Sequence, residues 1–268
     1  NSPASKEGYM NTIVGYAMPD IITVNELAGD GGTAAKRLLD NALNKDGRKY
    51  YKQCTYNANS NLCNMLYYNQ NKLVLYKQDK IERAVNNSFL VRLIDVYTLY
   101  YLDEKKLAQG DTTFMVFYVG HLKAGSSSSD KDERADATEA IMKYHEERYD
   151  RTNYFICGDF NIQTSSEECY QNLIAHSNTA LRFHDPLGRN ASWNNNGTYA
   201  FLHTQSTRSS SNGCASSGGL DDRFDFILCG QEVLENDYGV GYIAGSYNAL
   251  GNDSKHFNQS IISSSNTS

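Results

Sequence analysis

Four short segments carry polar side chains that an ordinary buried strand does not contain. In PDIITVNEL (19–27), Glu26 follows directly on an apolar, β-branched run. In FYVGHLKAG (117–125), His121 closes the most apolar run of the chain. YFICGDFN (154–161) sets Asp159 and Asn161 two residues apart, and in extended chain that spacing sends both side chains the same way. In DDRFDFILC (221–229), Asp225 sits between two phenylalanines. Taken singly, each has an ordinary explanation. A Glu after a strand is usually a solvated loop residue, a His at a strand end usually a hydrogen-bonded core residue, and Gly-Asp usually a turn. Asp225 is the hardest to dismiss, because a carboxylate within an apolar strand is costly to desolvate unless it is paired. It calls for a partner such as an imidazolium.

Together the four fit one kind of chemistry. Glu26 and Asp159 are hard oxygen ligands of the sort that hold Mg²⁺, Mn²⁺ or Ca²⁺. Such an ion polarises a phosphoryl oxygen and offsets charge that develops in the transition state. His121 titrates near neutrality and can move a proton. Asn161 is a neutral donor and acceptor, suited to orienting water or a phosphate oxygen.

The intervening sequence predicts the elements that would position these groups. Residues 21–24 (IITV) suit a buried strand, and 33–44 place Ala34, Ala35, Leu38, Leu39, Ala42 and Leu43 on one helical face. Residues 65–68 (MLYY) and 72–76 (KLVLY), separated by three residues, read as a hairpin. Residues 90–102 form a Tyr-rich strand, and 114–122, apolar on both faces, a central one. Residues 132–148 are helical with Ala137, Ala140, Ile141 and Tyr144 inward, and 154–157 and 224–229 are two further buried strands. Ser-rich stretches at 126–129 and 206–219 read as loops, and 255–268 as a polar loop or tail. The alternation predicts one α/β domain over residues 1–268.

Composition narrows the class. A chain of 268 residues with 40% hydrophobic content can bury a substantial core. A formal charge of −6 without a Lys/Arg run argues against holding nucleic acid by bulk electrostatics. It leaves room for a nuclease whose bound cation supplies the positive charge locally. No apolar run approaches the length of a membrane span and no basic-then-apolar leader opens the sequence, so stable membrane insertion is not expected. None of the six cysteines falls in a CxxC pair, which disfavours zinc. Cys157 and Cys229 lie in apolar runs and read as buried thiols, whereas Cys54, Cys63, Cys169 and Cys214 have polar surroundings that allow two disulfides. With 20 Tyr, many Asn and Ser and few Lys, the composition suggests an extracellular monomer.

The order Glu, His, Gly-Asp-Phe-Asn, Arg-x-Asp resembles the endonuclease/exonuclease/phosphatase superfamily, the deoxyribonuclease-I-like proteins, over about residues 9–228. PDIITVNEL is similar to its metal-glutamate motif, with Asn25 in place of the usual Gln. HLKAG followed by Arg134 is similar to its strand histidine and following helix; GDFN is its most specific signature, and RFDFIL resembles its penultimate acidic strand. The resemblance implies a four-layer α/β/β/α sandwich and metal-dependent phosphodiester hydrolysis, with nucleic acid the expected substrate. It implies that Glu26 binds the metal, that Asp159 and Asn161 contact the attacking water, the metal or the phosphate, and that Asp225 belongs to the catalytic network. Arg92 is similar to a phosphate-contacting arginine of some members, and an ion pair to Asp95 or Asp103 is an equally open reading. Arg182, Arg189 and Arg208 stand as further phosphate contacts or as solvated side chains. A sphingomyelinase-like phosphodiesterase and a non-catalytic binding domain are the alternatives.

Two family features do not match. The opening residues 1–9 hold no apolar run that could form the superfamily's first strand. At the other end, the expected Ser-Asp-His is replaced by GNDSKHFNQS, where Lys255 takes the Asp position and His256 reads as a loop residue. The sequence is therefore expected to form an incomplete sandwich without its first and last strands, lacking part of the catalytic apparatus.

Overall fold

The layering follows from how each strand divides its side chains between two faces. In a computed structural model of the chain, residues 3–57, 61–188, 190–205, 219–261 and 263–267 are described. Strand β6 (Phe114–His121) sets Met115, Phe117 and Val119 on one face and Val116 and Tyr118 on the other. Both faces must be covered, and both are. The first faces a second sheet, and the other lies under helices α4 (Ser128–Arg148) and α5 (Glu168–Ile174).

Among the described residues the strands form two sheets. The larger runs β4 (Leu73–Arg83), β5 (Phe89–Tyr101), β6, β7 (Asn153–Asp159), β9 (Asp225–Gly230) and β8 (Phe183–His184). The smaller runs β1 (Ile21–Ala28), β3 (Leu62–Asn69) and β2 (Tyr51–Gln53). Helix α1 (Pro3–Ala17) and helix α2 (Thr33–Leu38), which continues through one π turn over Leu39–Leu43, close the outer side of the smaller sheet. Tyr67 in β3 donates its hydroxyl to the carbonyl of Ala35 at 2.9 Å, tying these two layers together. Helices α3 (Glu104–Ala108) and α6 (Gln231–Glu235) are short connectors. The result is the four-layer α/β/β/α sandwich.

The expected hairpin at 65–68 and 72–76 is corrected. Strands β3 and β4 are joined by a tight turn, but they belong to different sheets. Strand β3 already pairs with β1 on one edge and β2 on the other, so β4 must find its partner elsewhere, and it pairs with β5. The disulfides are also corrected: Cys54, Cys63 and Cys169 are buried free thiols, as are Cys157 and Cys229, while Cys214 lies outside the described residues. Among the described residues no strand precedes Ile21 or follows Gly230, and no helix is long and apolar enough to cross a membrane.

Candidate active site

Strand register brings the acidic and imidazole groups to one end of the sandwich. His121 at the end of β6 lies beside Asp159 of β7, and Asp159 lies opposite Asp225 of β9. The next row inward pairs Gly120 with Gly158. Gly158 has φ +143°, and a Cβ there would collide with the carbonyl oxygen of Gly120. The Gly of GDFN thus lets β6 and β7 approach closely just below the row of His121 and Asp159.

Glu26 reaches the same place from the smaller sheet by a distortion of β1. Val24 pairs with Met65 and Leu27 with Cys63, so Asn25 and Glu26 together face the single residue Asn64. This is a β-bulge, and it holds Glu26 in the left-handed region at φ +61°. Its carboxylate, 63% exposed, is swung over the end of the larger sheet to 3.8 Å from His121 Nε2. Asp159 Oδ2 lies 3.6 Å from the same nitrogen. His121 is buried, and its Nδ1 has no hydrogen-bond partner among the described residues.

The electrostatics follow from this crowding. Burial, followed by the charge of Asp225 and then of Glu26, pushes the Asp159 pKa up to about 7, against the pull of the Asn161 backbone N–H. Burial and then Glu26 raise Asp225 as well. Burial and the nearby Arg92 guanidinium push His121 down to about 4, so its ring is neutral at physiological pH. A neutral imidazole beside a carboxyl that titrates near neutrality can share and pass a proton.

The remaining expected residues are placed less directly. Asn161 lies beyond the end of β7 with φ +52°, so strand alternation does not orient it. It is instead held by a turn, its backbone N–H donating to Asp159 Oδ1 at 3.1 Å and its Nδ2 to the Leu122 carbonyl at 3.3 Å. Arg92 pairs with neither Asp95 nor Asp103; its Nη1 donates to the Leu122 carbonyl at 2.7 Å, next to His121. Asp103 caps α3 instead. The carboxylate of Asp225 does not meet an imidazolium; it opens onto a cleft of about 650 Å³, beside Thr204, whose Oγ1 accepts its backbone N–H at 2.9 Å. His256 is in a loop but is buried, with Nδ1 2.7 Å from Asp253 Oδ1 and Nε2 3.0 Å from Ser264 Oγ. Arg182 donates Nε to the His176 carbonyl, and Arg189 and Arg208 lie outside the described residues.

Two contributions escaped the reading of the sequence. Asn25 bridges the sheets at the site, donating to Asn64 Oδ1 at 2.8 Å and accepting the Asp159 backbone N–H at 3.2 Å. Its place immediately before Glu26 was the available signal. Arg223, of the Arg-x-Asp motif, is buried in a two-pronged pair with Asp185 at 2.7 and 3.0 Å and lies over the Phe226 ring. It anchors the start of β9 from behind the reactive row.

Glu26 and Asp159 are hard oxygen donors that could hold a divalent cation. Among the described residues no three His, Cys, Asp or Glu side chains converge as a closed metal cage. The two carboxylates lean on the same His nitrogen, and burial, with the charges of Asp225 and Glu26 behind it, raises the pKa of Asp159.

Comparison with known proteins places the fold. No protein-family model matches the chain, and no curated protein matches its sequence. Solved structures do. An endonuclease/exonuclease/phosphatase family protein from Bacteroides thetaiotaomicron superposes with a TM-score of 0.57 at 11% identity, over 85% of this chain and 73% of that one. D. rerio TDP2 complexed with a single-strand DNA product gives 0.57 at 13%, over 86% and 78%. A mannosyl-6-phosphatase from Bacteroides thetaiotaomicron gives 0.56 at 11%, over 85% and 77%. The chain has the endonuclease/exonuclease/phosphatase fold.

Proposed function

We propose that this chain is a hydrolase of phosphoesters, and specifically a divalent-metal-dependent phosphodiesterase acting on nucleic acid. The observation that carries this reading is the convergence of Glu26, His121 and Asp159 at one strand end, with Asp225 in the adjoining register position. Glu26 and Asp159 would hold Mg²⁺ or a similar cation, which supplies polarisation of a phosphoryl oxygen and neutralisation of its charge. Asp159 lies where it can orient and take a proton from the attacking water, and Asn161 fixes the turn that aims it. His121 stays neutral and donates from Nε2 toward the carboxylates or a phosphate oxygen. Structural neighbours with a DNA product and with a phosphatase name support phosphoester chemistry as the class. Extracellular location is a proposal that rests on composition alone, since the described cysteines are free.

The test is nicking of supercoiled plasmid DNA in Mg²⁺, Mn²⁺ or Ca²⁺ and in EDTA, with Glu26→Ala and Asp159→Ala alongside. The expected result is cation-dependent nicking that falls by about a hundredfold or more in either variant. Undiminished nicking by both variants would overturn the assignment. Intact DNA together with release of choline phosphate from sphingomyelin liposomes would move the substrate to phospholipid. Silence on both from the folded, metal-supplied chain and from a version extended at both ends would leave a binding domain.

A further inference from the structure

Asp95 lies in β5, in the middle of the sandwich, and is fully buried. Its oxygens accept from Asn57 Nδ2 at 2.7 Å and from Asn64 Nδ2 at 3.3 Å. Lys80 stands opposite it in the strand register, but the Lys80 ammonium pairs with Glu82 at 2.6 Å. A buried carboxylate held chiefly by amides, without an ion pair, is an expensive way to fill a core, and an apolar residue of similar volume costs less. Its hydrogen bonds lead to the candidate active site.

The chain of bonds has a direction. A carboxylate only accepts, as do the Leu93 and Val119 carbonyls that the same amino group meets at 3.3 and 3.2 Å, so Asn64 turns its amino group toward Asp95 and its oxygen toward Asn25. That oxygen accepts from Asn25 Nδ2 at 2.8 Å. Asn25 must then present its own oxygen outward, where it accepts the Asp159 backbone N–H at 3.2 Å. Its amino group also reaches the Gly120 carbonyl at 3.2 Å, next to His121. Neither amide can flip without setting donor against donor or oxygen against oxygen. Asn25 and Glu26 are, moreover, the two bulged residues that face Asn64. The same bonds therefore fix the bulge that carries Glu26 and the backbone of Asp159.

We propose that Asp95 is a positioning residue: through Asn64 and Asn25 it holds the β1 bulge and the Asp159 backbone in the geometry the site requires. The proposal rests on the reading of Glu26 and Asp159 as hydrolytic groups.

The experiment compares Asp95→Leu, Asp95→Asn, Asn64→Leu and the double variant Asp95→Leu/Asn64→Leu. Phosphodiester hydrolysis gives kcat and KM, and hydrogen exchange gives the protection of the Asp159 amide. Asp95→Leu and Asn64→Leu should each lower kcat by about ten- to a hundredfold with little change in KM. The double variant should be no worse than either single one, because both break one chain. Asp95→Asn keeps an oxygen for Asn64, sets its new amino group against Asn57 outside the line to Asn25, and should stay within about threefold of the parent. Exchange of the Asp159 amide should speed up by about tenfold or more in the two Leu variants and not in Asp95→Asn. Parent-like kcat and exchange in folded Asp95→Leu would overturn the proposal, and so would losses that multiply in the double variant. If Asp95→Leu does not fold, Asn64→Leu makes the same test, since it severs the same link. If the parent hydrolyses no phosphodiester, the functional reading fails by itself. The exchange measurement then decides the positioning claim, and unchanged protection would overturn it.

Discussion

At the scale of single residues, burial sets two groups against each other in their dependence on pH. Burial, outweighing its hydrogen bonds from Asn57 and Asn64, pushes the Asp95 pKa up to about 6. The folded state thus holds that proton more tightly than the unfolded one. The resulting stability is present below the ordinary carboxylate value of 3.8 and is lost as pH rises to about 6. His145 behaves oppositely. Buried among aromatic rings and bonded to the Tyr118 hydroxyl at 3.1 Å, it is pushed down to about 4 from 6.5, chiefly by burial. Its contribution is present above the ordinary value and is lost as pH falls from 6.5 toward 4. Denaturant titrations of Asp95→Asn and the parent at a series of pH values should diverge across the window from about 4 to 6. The variant should gain relative to the parent as pH rises, by about 3 kcal/mol at most. Parallel curves would show that Asp95 does not titrate there.

At the scale of elements, two local devices lie next to the row of His121 and Asp159. The first is the Gly120–Gly158 pairing, which allows β6 and β7 to run side by side up to His121 and Asp159. Gly158→Ala should cost about 3 kcal/mol or more in a thermal melt, through both its φ and the collision with Gly120. A melt within about 0.5 kcal/mol of the parent would mean that the strands separate easily there. The second is the start of α4, where the Ser127 hydroxyl accepts the Asp130 backbone N–H and Asp130 returns the bond to the Ser127 N–H. This capping box also recruits Lys123, which pairs with Asp130 just after the strand of His121. Ser127→Ala should destabilise by about 1 kcal/mol. The same measurement checks it, and an unchanged midpoint would show that the cap is redundant.

For the whole molecule, the pair of Arg134 and Glu167 locks three segments together. Arg134, fully buried in α4, binds the Glu167 carboxylate at 2.6 Å and the carbonyls of Lys123 and Gly125 at 2.9 and 2.8 Å. Arg134→Met leaves Glu167 buried without its cation and should cost about 3–5 kcal/mol, whereas replacing both partners with apolar residues should cost less. Equal losses in the single and double variants would contradict that account. The overall charge of −6 bears on substrate binding. If nucleic acid is the substrate, affinity should come from a few local contacts and the cation, so raising salt from roughly 50 to 200 mM should weaken KM by about tenfold or less. A fall of a thousandfold would indicate an extensive phosphate-binding surface.

The sequence by itself determined most of the longer strands and marked the polar groups at their ends. Runs such as 21–24 and 114–121 are apolar and β-branched enough to be strands in any context, and Glu26, His121, Asp159 and Asp225 stand out as polar groups at the ends or within such runs. A local pattern of this kind records what one segment must bury. It does not record which neighbour it will meet. Only the tertiary structure decided that β4 leaves β3 for β5, because that depends on edges already taken by β1 and β2. The bulge at Asn25 and Glu26 was equally hidden, since it exists only relative to Asn64, 39 positions away from Asn25. The line from Asp95 to Asp159 crosses between two sheets, and the state of the cysteines depends on partners brought close or kept apart by folding. Periodicity is a property of one segment, whereas register, pairing and buried polar contact belong to pairs of segments distant in the chain.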